Sequence, residues 1–318
     1  MNQKGKRVAL LGFMMLLASA VVSGQASPAH AEFAGRNGRI VFGRPTADGG
    51  QRLVTINPDG TGLKRFRRSE PMELAPSWSP DGRRVVFTCG GIRRYQTHEI
   101  CIKRADGSRH RQVTRNGFDD YLPSWSPDGK KIVFARHQHD EQLPGPDVPQ
   151  QWEIYVINRD GTGLTRLTHH AEHDTDPRWS PDGSLILFTS YRDGRGALWV
   201  MSPDGSGARA VSDTTELACR AGDWSPDGEK IVAECWGSDH SGLYIMDVDG
   251  TDMARVGEEV YANAPRWAPN GRRIVFMHTP RGQGQSGIYT IKVDGSDRRK
   301  VFYDPIGAFV PSWQPLPN

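Results

Sequence analysis

PSWSPDGKKIVF, from Pro123 to Phe134, decides the fold because it returns along the chain. The same half-unit reads PSWSPDGRRVVF from Pro76, PRWSPDGSLILF from Pro177, GDWSPDGEKIVA from Gly222 and PRWAPNGRRIVF from Pro265, and is truncated to PSWQP from Pro311. Its tryptophans, Trp78, Trp125, Trp179, Trp224, Trp267 and Trp313, are 47, 54, 45, 43 and 46 residues apart, the period of a propeller blade. The longest spacing holds an extra loop from His137 to Gln151. A second half-unit lies between copies of the first: LVTINPDGTG, EICIKRADGS, IYVINRDGTG, LWVMSPDGSG, LYIMDVDGTD and IYTIKVDGSD. Each is a short apolar run ended by an Asp-Gly turn, a strand and hairpin signal.

Turn chemistry fixes the unit. In Ser-Pro-Asp-Gly, Pro presets φ, Asp accepts local backbone hydrogen bonds and Gly supplies the left-handed position. The unit is therefore strand A with Trp, a tight turn, strand B, a loop, strand C, an Asp-Gly turn and strand D. The Trp is expected to pack between neighbouring blades, burying ~150–250 Å². The chain opens its first unit with a strand B, Gly38 to Phe42, and ends with a strand A, Val310 to Trp313. The expected fold is all-β, a six-bladed β-propeller closed by pairing the C-terminal strand with the N-terminal blade, which removes exposed sheet edges.

The N-terminus reads as a secretory signal peptide over residues 1–31, with the propeller over 32–318. Lys4, Lys6 and Arg7 form the basic region, Val8 to Val22 the apolar region, and Ala29-His30-Ala31 the cleavage signal. The whole chain has 40 basic and 37 acidic residues; without the three basic residues of the leader, 37 of each sign remain. A near-neutral chain has no general attraction for nucleic acid or anionic lipid. The cluster Lys64-Arg65-Phe66-Arg67-Arg68 reads as a solvated edge strand. No second apolar run of spanning length follows the leader, so no membrane span is expected after cleavage. The expected location is secreted or periplasmic, and the expected state monomeric.

The six-fold W-S-P-D-G repeat, with its apolar strand and D-G partner, resembles the TolB-type propeller repeat over roughly residues 38 to 314. The resemblance implies the fold above. TolB itself binds partner proteins of the cell envelope and carries an N-terminal α/β domain to which no segment here corresponds. Prolyl oligopeptidase relatives place a similar propeller over a hydrolase domain, but no G-x-S-x-G elbow is present; Gly284-Gln285-Ser286-Gly287 is one residue short. The resemblance extends to propeller polysaccharide lyases, whose channel histidines hold a metal.

Loops before strand A and between strands B and C share one face of a propeller, around the channel mouth. Five residues before each Trp stand Glu73, Asp120, Asp174, Cys219, Ala262 and Ala308; four before stand Leu74, Tyr121, Thr175, Arg220, Asn263 and Phe309. The half-ring Glu73, Asp120 and Asp174, with Asp176, Arg220 and Asn263, is a candidate cation or polar-ligand site, since hard cations want several oxygens. His137, His139, His169, His170 and His173 fall on the same face and could ligate a transition metal. Asp247-Val248-Asp249-Gly250-Thr251-Asp252 fails the EF-hand spacing and reads as a hairpin turn. The sequence assigns no definite cofactor, and a divalent cation is the candidate.

Export permits disulfides. Cys89 ends a strand B and Cys101 begins the next strand C; Cys219 begins a strand A and Cys235 ends its strand B. Hairpin neighbours lie within disulfide reach, which pairs Cys89 with Cys101 and Cys219 with Cys235. The functional expectation is a non-catalytic exported scaffold that binds a protein or cell-envelope ligand through its loop-bearing face. The alternative is an extracellular glycan-active lyase or hydrolase, with a metal-assisted site at the channel mouth.

Overall fold

The computed structural model describes residues 35–316 apart from 68, 91–96, 139–150, 213–214, 239–240, 259–260 and 281–283. The leader and His139 lie outside the described residues. These residues form strands and turns; among them no helix is long and apolar enough to cross a membrane.

The chain begins with β1 (Arg36–Pro45), β2 (Gln51–Ile56), β3 (Lys64–Arg65), β4 (Met72–Trp78), β5 (Arg84–Gly90), β6 (Glu99–Arg104) and β7 (Arg111–Gln112). Four sheets of four antiparallel strands follow. The first holds β8 (Asp119–Trp125), β9 (Lys131–Gln138), β10 (Gln151–Asn158) and β11 (Thr165–Arg166). The second holds β12 (Asp174–Trp179), β13 (Ile186–Ser190), β14 (Ala197–Met201) and β15 (Arg209–Ala210). The third holds β16 (Ala218–Trp224), β17 (Lys230–Trp236), β18 (Ser241–Asp247) and β19 (Ala254–Val256). The fourth holds β20 (Ala262–Trp267), β21 (Arg273–His278), β22 (Gly287–Lys292) and β23 (Arg299–Phe302).

The last strand, β24 (Phe309–Leu316), returns to pair antiparallel with β1, with Ile40 opposite Trp313. It joins the first seven strands in one eight-stranded sheet. Hydrogen bonding thus gives four separate four-stranded blades and one longer sheet, where the repeat predicted six separate blades. The difference is a single parallel bridge, Gln51 to Met72, which ties β2 to β4. The architecture is an all-β propeller.

Local chemistry explains the uniformity of the blades. In the turn after Trp179, the Ser180 hydroxyl donates to Asp182 at 2.6 Å and accepts from the Leu185 N–H at 2.9 Å. Gly183 takes φ +75°, which costs a glycine nothing. Ala268 replaces the serine in the fifth copy; its turn is held by backbone bonds from Ala268 N–H to Arg273 O and from Gly271 N–H to Ala268 O, each 2.8 Å. Asp247 to Asp252 is the expected hairpin turn, with Asp249 accepting from the Thr251 N–H at 3.0 Å.

The core lies between blades. Trp125 packs with Val86 and Ile100 of the preceding unit, and Trp313 with Val275 and Ile288. Five of the six repeat tryptophans are buried and Trp179 is half-buried. Both expected disulfides are present. Cys219 stands directly opposite Cys235, with Cα atoms 4.1 Å apart. Cys89 and Cys101 are diagonal, because Cys89 faces Glu99 in the ladder; their Cα atoms are 5.8 Å apart.

Candidate functional site

Every inner strand carries the same irregularity. Ala75, Leu122, Asp176, Ala221, Ala264 and Val310 each stand three residues before a repeat Trp, and each has φ between 42° and 57°. The ladder registers of β4, β8, β12, β16 and β20 slip at this point, and so does that of β24 against β1. A bulge adds one residue and reverses which side chains face which way beyond it. Simple alternation from the Trp would turn the residue five before it toward the channel. The bulge turns that residue into the blade instead. Glu73, Asp120, Asp174, Cys219, Ala262 and Ala308 are all buried, and the residues four before the Trp are the more exposed set.

The carboxylate half-ring is accordingly taken up by basic groups, each within its own unit. Glu73 pairs with Lys103 at 2.8 Å, both fully buried, and also accepts the Leu53 N–H at 3.0 Å. Lys103 sits 4.2 Å and 4.6 Å from the ring centres of Phe66 and Phe87. Burial pulls its pKa down, while Glu73 pulls the other way. Asp120 receives two hydrogen bonds from Arg136, at 2.6 Å and 3.0 Å. Asp174 pairs with Arg192 at 2.9 Å, and burial raises its pKa against the hydrogen bonds from Ser190 and Arg192. Each carboxylate of the expected arc thus has a basic partner within its own unit. Asp176, half-buried, is itself one of the bulge residues, and Asn263 is half-buried on β20.

The histidines are dispersed in the same way. His137 is buried against Trp152, with ring centres 4.8 Å apart. His173 accepts the Trp152 N–H through Nδ1 at 3.3 Å, His170 accepts the Glu172 N–H at 3.1 Å, and His169 is exposed. Among the described residues, the group of three potential ligands that converges is Cys89, Cys101 and His110, two of whose donors are already disulfide sulfurs.

The structure assembles another feature on this face, an arc of half-exposed aromatic side chains. The Tyr121 hydroxyl lies 2.7 Å from His98 Nδ1, which is 3.0 Å from Asp119. Burial and the Asp119 charge push the Tyr121 pKa up. Tyr121 meets Trp152 edge-on at 5.3 Å, and His173, bonded to Trp152, meets Tyr191 at 6.4 Å. Tyr191 adjoins Arg220, which forks onto Glu234 at 3.1 Å and 3.2 Å and lies 5.2 Å from the Trp236 ring. Burial works against the Arg220 charge, but the Glu234 hydrogen bonds win and its pKa rises. Sequence reasoning made Arg220 a candidate, placed Tyr121 on the ring without making it one, and missed His98, Trp152, Tyr191 and Trp236. Their signal was an aromatic or imidazole ring close to the loop-facing end of a strand.

A second feature lies at the other end of the channel. The six repeat tryptophans surround a cavity of about 110 Å³, together with the residue before each: Ser77, Ser124, Arg178, Asp223, Arg266 and Ser312. Parity from the Trp, with no bulge between, would have placed these six there.

The fold and these surfaces define an all-β propeller with a rigid inner ring and variable loop chemistry. The chain belongs to the TolB beta propeller domain family, which matches residues 147–317. It is 44% identical over 52 residues to the Tol-Pal system protein TolB of Syntrophus aciditrophicus, a match covering 16% of this chain and 12% of that relative. The chain spans only a small part of the length of the curated relatives it matches. TolB from Acinetobacter baumannii superposes with a TM-score of 0.73 at 22% identity, covering 90% of this chain and 68% of that one. An oligogalacturonate lyase in complex with manganese gives 0.58 at 14% identity, covering 82% and 73%. At such identities the structural likeness is one of fold.

Proposed function

We propose that the chain is an exported scaffold, mature over 32–318 and secreted or periplasmic, that binds a protein or other cell-envelope ligand through its loop-bearing face. We read the eight-stranded sheet as two blades joined by one bridge, giving six blades in a closed ring. In support, β24 pairs with β1, and it contacts both β4 and β20. Two disulfides fit an oxidising compartment.

The observation that carries the binding role is the arc Tyr121, Trp152, Tyr191, Arg220 and Trp236. Partly exposed Tyr, Trp and Arg are the side chains that dominate binding energy at protein interfaces, because they bury much area at low entropy cost. Loops on a rigid frame suit recognition. A glycan-active enzyme would draw its acid and base from Glu73, Asp120 and Asp174, and each of these is sequestered in an ion pair. The test is photo-crosslinking in cells with a photoreactive residue at Trp152, Tyr191 or Asp204, the last in a turn on the opposite face. Discrete adducts from Trp152 and Tyr191 alone are expected. Equal labelling from Asp204, or none from the arc, sinks the reading.

A further inference from the structure

We infer that the tryptophan-lined end of the channel is an oxyanion site, in which Arg178 and Arg266 hold a small inorganic anion or a carboxylate presented by another molecule. Both arginines line the 110 Å³ cavity and are only 6% exposed. A guanidinium has five N–H donors. Arg178 spends one Nη1 contact on its neighbour Pro177 O, at 3.1 Å. Arg266 gives Nη1 to Pro265 O at 2.6 Å and to Ala221 O at 3.4 Å. Among the described residues, no carboxylate lies within 4.0 Å of either guanidinium.

Asp223, the acidic member of the ring, is partly engaged elsewhere, accepting the Trp267 N–H at 2.8 Å. Burial lowers the Arg178 pKa to about 9, with the Arg266 charge as the second cause, against the opposing pull of Asp223 and Asp176. The two guanidinium groups thus line one small cavity, mostly buried and without a directly contacting carboxylate among the described residues. Buried charge is costly unless it is paired and hydrogen-bonded. An anion with several oxygens would meet the unused guanidinium donors, with the hydroxyls of Ser77, Ser124 and Ser312 on the rest of the ring. A cavity of this size admits an ion such as phosphate or a single carboxylate, but no folded segment. The site lies at the opposite end of the channel from the aromatic arc and does not depend on the role proposed for that arc.

Calorimetric titration of the full mature chain tests this with phosphate, sulfate, acetate and an acidic tetrapeptide carrying a free or an amidated C-terminus. Heat with phosphate or sulfate assigns an inorganic occupant; heat confined to acetate and the free-acid peptide assigns a partner's carboxylate. Arg178→Gln and Arg266→Gln should each weaken binding at least ~10-fold, the scale of a charge-assisted hydrogen bond. Asp223→Asn keeps an acceptor for the Trp267 N–H and removes the competing charge, so it should tighten binding ~10-fold. This variant decides the matter even if an arginine variant does not fold. Absence of heat with every probe at millimolar concentration overturns the site, as does an unchanged or weaker affinity in Asp223→Asn.

Discussion

The indole N–H of Trp313 donates to the backbone oxygen of Gly38 at 3.2 Å, across 275 positions of chain. The same two segments are tied again by the Gln314 side chain, which accepts the Arg39 N–H at 3.1 Å and donates to Gly82 O at 2.7 Å. The end of the chain is therefore bonded to the first unit and to the turn of the next.

Loss of this contact should loosen the whole propeller. Trp313 is 5% exposed among Ile40, Phe42 and Val275. Trp313→Ala should cost ~3–5 kcal/mol in urea unfolding. Truncation before Val310 should cost more, because it also strips β1 of its partner and leaves an open edge. An unchanged melting temperature for the truncated chain would rule out closure by β24.

Each disulfide should stabilise its own hairpin. They close short loops, with sequence separations of 12 and 16, so removing either pair as a double Cys→Ala change should cost ~2–4 kcal/mol. Non-reducing peptide mapping should return only the two pairs within blades. Any peptide joining Cys89 to Cys219 would reject the repeat alignment itself.

The period of the repeat, its turn chemistry and the place of each cysteine in its unit were legible, because local sequence determines each of them. The partners of Glu73, Asp120 and Asp174 were not. Lys103, Arg136 and Arg192 lie 30, 16 and 18 residues away and read as ordinary charged positions on strands or loops. Nothing in composition says that one residue of an inner strand will take a left-handed turn and exchange the buried set for the exposed one.

The Glu73–Lys103 pair provides a further test. With both side chains fully buried, Lys103→Met leaves Glu73 charged in the core and should cost ~3–5 kcal/mol. Glu73→Gln/Lys103→Met removes both charges and keeps an acceptor for the Leu53 N–H. The double variant should recover at least half of that loss in a double-mutant cycle. Equal destabilisation of the single and double variants would show that packing of Lys103 between Phe66 and Phe87 matters, and the charge does not.

Acidification should act through the outer turns. Asp59, Asp106, Asp160, Asp204, Asp249 and Asp294 are each held below the ordinary value of 3.8, first by the hydroxyl and then by the N–H of the Thr or Ser two residues on. A folded pKa below the unfolded one gives stability that is full above about 3.8 and is lost as pH falls through the folded value. Asp174 and Glu234, raised by burial, act in the opposite sense and favour the fold at low pH. A carboxyl-resolved NMR titration separates the two groups, and Thr162→Val should raise the Asp160 pKa. A folded-state Asp160 that already titrates at its ordinary value would refute the turn contribution.

The bulge of the inner strands makes the last prediction. Ala75, Leu122, Asp176, Ala264 and Val310 combine a positive φ with a following proline, and a residue before proline prefers extended backbone. For a non-glycine residue the left-handed region costs ~1–2 kcal/mol. Ala75 has φ 45° and only a methyl group to lose, so Ala75→Gly isolates the backbone term from packing. Glycine also adds entropy to the unfolded chain, which subtracts up to ~1 kcal/mol. The net expectation is a stabilisation of about 0.5–1 kcal/mol in urea unfolding. Val310 has φ 42° and a β-branched side chain packed against the core around Trp313, so Val310→Gly trades strain relief for lost packing and should come out near neutral. Ala75→Val, which adds branching at the same φ, should destabilise. If Ala75→Gly destabilises by more than 1 kcal/mol, residue 75 is not left-handed in solution. Simple alternation would then hold in β4 and turn Glu73 toward the channel, as the sequence pattern alone predicts.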